Sequence, residues 1–395
     1  MIFDVLIVIV IIIWGVSGIK TVFQIPNKLD NNDIRFLRSA YFFHLGVSLL
    51  FSTYIMANGG DAIGYWFMGR FSLDKGWLQY FQPGTFFILF LTYPLVYFFN
   101  ISFYVGGLIF AAIGFNGFIY FYLLLKKFHY HRLIYFGVNL VTLLFYLPNL
   151  HFWSSGIGKD ALAFFAIMGF FYSLTNIRKK WFLLFFTLAL SYFIRPHIAL
   201  FLVSSTFLAV LIDGKMKMNV RIALILIVVV SFILLFNRVL TFLQLEDVSS
   251  TSVGQFSEGK LSKLSKNSGS SVDMSSYPLP IKMFTFLYRP LFFDANGFLG
   301  IIASLENLFI LMLSYTAIRL RPLRAFRAAA MPIKAIALFT IISTIAFSFI
   351  LSNLGIILRQ KSPIIICLLT FIVWVYVKNQ ADRKAKKAAA IRAKQ

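Results

Sequence analysis

Nine ionisable side chains sit in short turns of an otherwise apolar chain. Asp61 lies in "NGGDAIGYW" (58–66), and Lys159 with Asp160 in "GIGKD" (156–160). Arg195 and His197 share "FIRPH" (193–197), Arg289 and Asp294 share "LYRPLFFDANGF" (287–298), and Arg359 and Lys361 share "LGIILRQKSP" (354–363). A carboxylate beside a hydroxyl can take its proton. Arginines hold phosphate oxygens through paired hydrogen bonds and stabilise charge that grows on a leaving oxygen. The set therefore suits transfer of a group away from a phosphate. Asp61 is the candidate base, and Tyr65, four residues on, faces the same way if the segment is helical. Lys159 beside the positive end of a helix is unfavourable unless an anion also sits there, held by backbone N–H groups near Gly156 and Gly158.

Each of these residues also has a plainer role. Asp61 follows two glycines and suits a turn, and Tyr65 suits a membrane interface. Asp160 is an ordinary helix cap, worth about 1 kcal/mol. Arg195 can snorkel between two short spans, and His197 after a proline suits a structural contact. Arg289 can meet headgroups, and Arg359 and Lys361 can anchor an interface. Glu306, inside an apolar segment, calls for a hydrogen-bonding neighbour on another helix, with a relay role as the sharper alternative. His44 and His151 show no ligand spacing with other His, Asp or Glu, so no metal site is expected.

The elements that must position these residues follow from composition. Of 395 residues, 48 are Phe and 59% are hydrophobic, while 13% are charged. A water-soluble fold cannot hide that much apolar surface, so the expected class is all-α, a polytopic transmembrane bundle. Crossing about 30 Å of hydrocarbon takes roughly 20 apolar residues per helix. Candidate spans are 2–18, 39–57, 103–125, 133–150, 160–177, 181–194, 197–212, 221–237, 299–318, 335–353 and 362–377. The first carries no basic leader or small-residue cleavage motif and reads as a retained span. The lone cysteine, Cys367, lies in an apolar span, which leaves no disulfide framework.

The net charge of +23 does not point to nucleic acid, because the basic residues flank apolar spans instead of forming a soluble face. Lys and Arg alternate along the chain, between Lys20 and Arg38, at Lys126–Arg132, Arg178–Lys180, Lys215–Arg221 and Arg319–Lys334, and in the tail after Lys378. Consistent alternation places the N-terminus outside and the C-terminus in the cytosol. It also requires 85–99, broken by Pro94, to be a re-entrant or interfacial helix. Residues 1–378 then form the membrane domain, with a large outer loop at 239–298 that is Ser/Gly/Lys-rich in its middle. The basic tail, 379–395, reads as frayed helix near anionic headgroups. The nine chemistry-bearing residues fall on the outer side.

The sequence resembles the bacterial multispanning glycosyltransferases and polysaccharide polymerases of the GT-C superfamily, O-antigen polymerases among them. The resemblance rests on "GDAIGY" in an early outer loop before a short re-entrant helix, "FWSSGIGKD" before a middle span, an Arg-Pro turn, and a late outer "YRP". It implies a GT-C-like fold for the eleven spans counted from the apolar runs. It also implies a polyprenyl-(di)phosphate-linked sugar donor, a glycan or lipid-linked acceptor, and cell-surface glycan assembly at the outer face of the bacterial inner membrane. Asp61 matches the carboxylate that acts as base. Arg195, Arg289 and Arg359 match the diphosphate-holding positions, with Lys159, Asp160, His197 and Tyr65 around them. The chain departs from many members in lacking a soluble C-terminal domain and an Asp-x-Asp motif, and no cofactor is expected. Two other readings stand beside this one. One is a transporter or flippase for an anionic lipid-linked substrate, and the other is a membrane acyltransferase working through His44, His151 or His197.

Overall fold

The computed structural model describes residues 2–71, 76–128, 133–213, 276–350 and 353–392 except for positions 136 and 296, together with isolated positions between 219 and 274. The expected span 221–237 and the middle of the 239–298 loop lie outside the described residues. What is described is almost entirely helical. Eight helical runs among the described residues are long and apolar enough to cross a membrane. The chain is an all-α, multi-pass membrane protein.

It divides into two compact units. The first is Met1–Leu123 with Phe145–Ala199, and the second is Leu124–Leu144 with Leu200–Gln395. The first unit opens with α1 (Ile2–Asn27) and α2 (Asn31–Asn58). A reciprocal cap starts α2. The Asp30 side chain accepts from the Asp33 amide at 2.8 Å, and Asp33 accepts from the Asp30 amide at 2.7 Å. Gly59 and Gly60, at φ 81° and 153°, turn the chain in a conformation that side chains disfavour. Asp61 then opens α3 (Asp61–Phe71), which packs on α4 (Thr85–Tyr97). At 13 residues α4 rises about 20 Å, short of the hydrocarbon thickness. A short apolar helix is thus present at 85–99, as expected.

Helix α5 (Phe103–Lys127) begins in this unit, packed closely at Gly106 against Trp66. The apolar stretch 133–150 does not form a span. It holds a two-stranded hairpin, β1 (Ile134–Tyr135) with β2 (Val138–Asn139), and then α6 (Leu140–Phe145). Pro148 opens a separate short helix, α7 (Pro148–Ser154). A proline fixes φ at a helix start and cannot continue the preceding one, so the run breaks where sequence hydropathy saw none.

Helices α8 (Lys159–Ser173) and α9 (Ile177–Ile194) pack side by side. Phe165 meets Phe186 at 6.3 Å and Gly169 lies against Thr187, a pairing that runs antiparallel. They form a hairpin whose turn carries Arg178, Lys179 and Lys180, and Lys180 sits 3.3 Å over the Tyr172 ring. Two short arms are therefore present, as the expected spans 160–177 and 181–194 required. Helix α10 (Pro196–Asp213) follows after a single extended residue, Arg195.

The second unit contains α11 (Leu279–Tyr288), α12 (Gly297–Arg319), α13 (Pro322–Ala328), α14 (Met331–Ile350) and α15 (Leu354–Arg392). Helix α15 is 39 residues long and rises about 58 Å, nearly twice the hydrocarbon thickness. The basic tail is therefore a direct extension of the last apolar helix. Residues 354–363, expected as a loop, are its first turns. Asn353 starts them by accepting from the Gly355 and Ile356 amides at 2.9 and 3.2 Å. Within this unit Lys334 on α14 pairs with Asp213 at 2.6 Å.

Candidate functional site

Three sequence-distant turns meet in the first unit. The amide of Gly84, at φ 89° before α4, donates to the Phe193 carbonyl at 2.7 Å and ties the start of α4 to the end of α9. Lys159, the first residue of α8, donates to the Thr85 hydroxyl at 3.0 Å. Arg195 closes α9, its amide donating to Ser191 O at 2.8 Å, and Pro196 starts α10. Extended at that one position, Arg195 donates to Asp160 Oδ1 at 2.6 Å, and both side chains are 7% exposed.

Asp160 was expected to cap α8, and it does not. The N-cap is Gly158, at φ 148° and without a side-chain cap. Asp160 is the second helical residue and turns to Arg195. The start of α8 therefore keeps backbone N–H groups that no side chain of the cap satisfies, with Lys159 half-buried beside them. Three features that favour an anion share one place: a helix N-terminus, an ammonium and a guanidinium. Arg195 spends part of its fork on Asp160, and its other N–H groups remain as donors. His197, the second residue of α10, is buried at 8% exposed.

Asp61 is exposed at the first turn of α3. Tyr65 does not share that exposure. It is 7% exposed, and its carbonyl accepts from the Thr92 hydroxyl at 2.8 Å. The expectation that both face one way fails because α3 lays Tyr65 and Trp66 into the apolar core while its first residue stays at the edge. Thr92 lies seven residues along α4 from Thr85, about 10 Å by helical rise.

Arg289 and Arg359 belong to the second unit. Arg289 grips Asp294 at both ends, Nε to Oδ2 at 2.8 Å and Nη2 to Oδ1, and sits 5.4 Å from the Phe293 ring. Burial alone would raise the Asp294 carboxyl. The hydrogen bonds from Arg289 and the Leu291 amide outweigh it and hold the group below the usual carboxylate range. The same bonds tighten the guanidinium's hold on its proton. Lys361, 1% exposed, pins this loop from α15. It donates to Leu287 O at 3.0 Å, Arg289 O at 2.8 Å and Asn307 Oδ1 at 2.8 Å. Asn307 in turn donates to Pro290 O at 2.8 Å, and the charge of Glu306 acts on the ammonium. Lys361 is thus not an interface anchor. Arg359, two residues away, lies on a different face of α15 and is half-buried.

One cluster escaped the sequence. His44 on α2 and His151 on α7 touch through their Nδ1 atoms at 2.8 Å, both fully buried, with Phe118 stacked 4.3 Å from His151. His151 Nε2 faces the Phe145 carbonyl and must donate to it. With both rings neutral, His151 Nδ1 therefore accepts and His44 Nδ1–H donates. No spacing signals a pair 107 residues apart. Among the described residues no group of three or more His, Cys, Asp or Glu gathers to hold a metal. Comparison of the chain with protein-family models, curated proteins and solved structures found no match.

Proposed function

We propose that the chain is an integral-membrane glycosyltransferase or polysaccharide polymerase of the GT-C type, using a polyprenyl-(di)phosphate-linked sugar at the outer face of a bacterial inner membrane. The observation that carries this reading is the start of α8, whose cap residue Gly158 supplies no side-chain bond and which is flanked by Lys159 and by Arg195 held on Asp160. The lipid tail of such a donor stays in the bilayer, so its diphosphate needs fixed cations near the boundary. The α8–α9 hairpin supports the sidedness, since its turn carries Arg178, Lys179 and Lys180 at the end opposite the site.

In this reading Lys159, Arg195 and the α8 amides hold the diphosphate, and Asp160 orients Arg195. The acceptor hydroxyl oxygen bonds to the anomeric carbon while the bond from that carbon to the diphosphate oxygen breaks. The electron pair leaves on the diphosphate, and the hydroxyl proton passes to Asp61.

Transfer of labelled sugar from a polyprenyl-diphosphate donor tests the proposal. Asp61→Asn should lower turnover at least about a hundredfold, the usual worth of a general base, with insertion and melting unchanged. Full transfer by that variant would remove the base. Movement of labelled donor across the bilayer without a covalent product would favour the transporter.

A further inference from the structure

A second basic site lies in the second unit, where the last apolar turn of α12 gives way to α13. A groove of ≈ 200 Å³ opens between the α12–α13 turn and the distal part of α15. Arg321 and Arg324 line one wall, and Lys378, Arg383 and Lys386 line the other, around the single carboxylate of Asp382. The walls are built, not draped. Trp374 Nε1 donates to the Ala325 carbonyl at 2.8 Å, Phe326 packs on Phe371 at 6.3 Å, and Ala325 is itself buried in the lining. Arg321 adopts a left-handed backbone at φ 58°, an uncommon conformation for a side-chain-bearing residue, where the chain turns from α12 into α13.

Asp382 is shared between Lys378 at 2.8 Å and Arg324 at 3.7 Å. One carboxylate cannot neutralise five cations, so the groove keeps an excess of positive charge. Residues 378, 382 and 386 recur at helical spacing on one face of α15, whereas Lys384 and Lys387 do not line the groove. The groove begins where the apolar run of α15 ends at Lys378. Ile318 and Leu323, flanking the turn, are 68% and 75% exposed, which leaves apolar surface beside the cations. That combination fits an amphiphile, a phosphate held by arginines with acyl chains alongside.

We propose that this groove binds a phosphate-bearing anion, and that its occupant is the phosphodiester headgroup of an anionic lipid in the leaflet that faces the basic tail. The lipid and a free multivalent phosphate share this chemistry. The contiguous apolar surface is what selects the lipid.

Native mass spectrometry of the full chain in neutral detergent tests it, with phosphatidylglycerol, phosphatidylcholine and inorganic diphosphate as separate probes. Arg321→Gln/Arg383→Gln removes two charges from the groove. Lys384→Gln/Lys387→Gln removes the same charge from elsewhere on the helix. The expected result is retention of phosphatidylglycerol over phosphatidylcholine by the wild type. The groove variant should lose roughly tenfold or more in affinity and the control less than about twofold, as charge-assisted contacts of this kind imply. Equal losses in both variants, or none in either, would overturn a built site. Diphosphate binding abolished by the groove variant while lipid retention stays unchanged would overturn the lipid assignment. Unchanged melting of both variants with phosphatidylcholine shows that the fold is intact.

Discussion

Arg195 and Asp160 illustrate why paired charge at membrane depth carries information. An isolated buried charge is costly, and breaking a buried pair by removing one partner costs about 3–5 kcal/mol, mostly from the charge left behind. Arg195→Ala should therefore lower the melting temperature more than the double change Arg195→Met/Asp160→Leu, which removes both charges and keeps the volume. Equal melting of the two would show that the pair is not isolated from water. Lys361 makes a parallel case, because Lys361→Met strands two loop carbonyls and Asn307. A loss of about 1–3 kcal/mol per stranded buried group is expected in thermal unfolding. Asp294 supplies a pH signature. Its pKa is lowered in the folded state, so its contribution is fully present above the unfolded carboxylate value, about 3.9, and fades as pH falls through the depressed one. Melting of the wild type and of Asp294→Asn should differ at neutral pH and converge in acid. The residue types were legible in the sequence, because so few ions survive in a chain this apolar. Their partners were not. Arg195 with Asp160, and His44 with His151, are joined by folding across distances that spacing cannot encode.

The hairpin of α8 and α9 is the element that sets the site. Its two free ends, at Lys159 and Ile194, lie together because the arms run antiparallel, and its turn gathers Arg178, Lys179 and Lys180 at the other end. Cys367 is fully buried. A single added cysteine at Lys179 should thus react with an impermeant maleimide only from the cytosolic side, and one at Asn58 only from outside. Labelling at Lys179 from outside and at Asn58 from the cytosol would reverse the sidedness of the site, and labelling of both from one side would overturn the opposed placement of the two ends. At this scale most of the expected apolar runs coincide with long apolar helices among the described residues. The stretch 133–150 does not, since Gly137 and Pro148 break the backbone inside a run that is continuous in hydropathy. Residues 354–363 misled the other way, because Asn353 caps a helix start that already carries Arg359 and Lys361.

The molecule as a whole is a helical membrane protein, which its composition alone was enough to say, and it divides into two compact units. Apolar side chains cover its surface, among them Phe182 and Phe185 at 68% and 63% exposed, which a lipid environment accounts for. The division into units was not legible, because each is assembled from two separate pieces of chain. The tail, expected as helix from its composition, continues α15 to Arg392. The functional proposal depends on one physical statement at this scale, that the end of the first unit bearing Lys159 and Arg195 accepts a lipid diphosphate.

Binding of a fluorescent polyprenyl-diphosphate analogue to the full chain in phosphatidylcholine nanodiscs measures that directly. Lys159 is half-buried and donates to the Thr85 hydroxyl, a bond that a glutamine amide can also make, so Lys159→Gln should fold normally. It should bind at least about tenfold more weakly than the wild type, the worth of one charge-assisted contact. Affinity unchanged by Lys159→Gln would contradict the account.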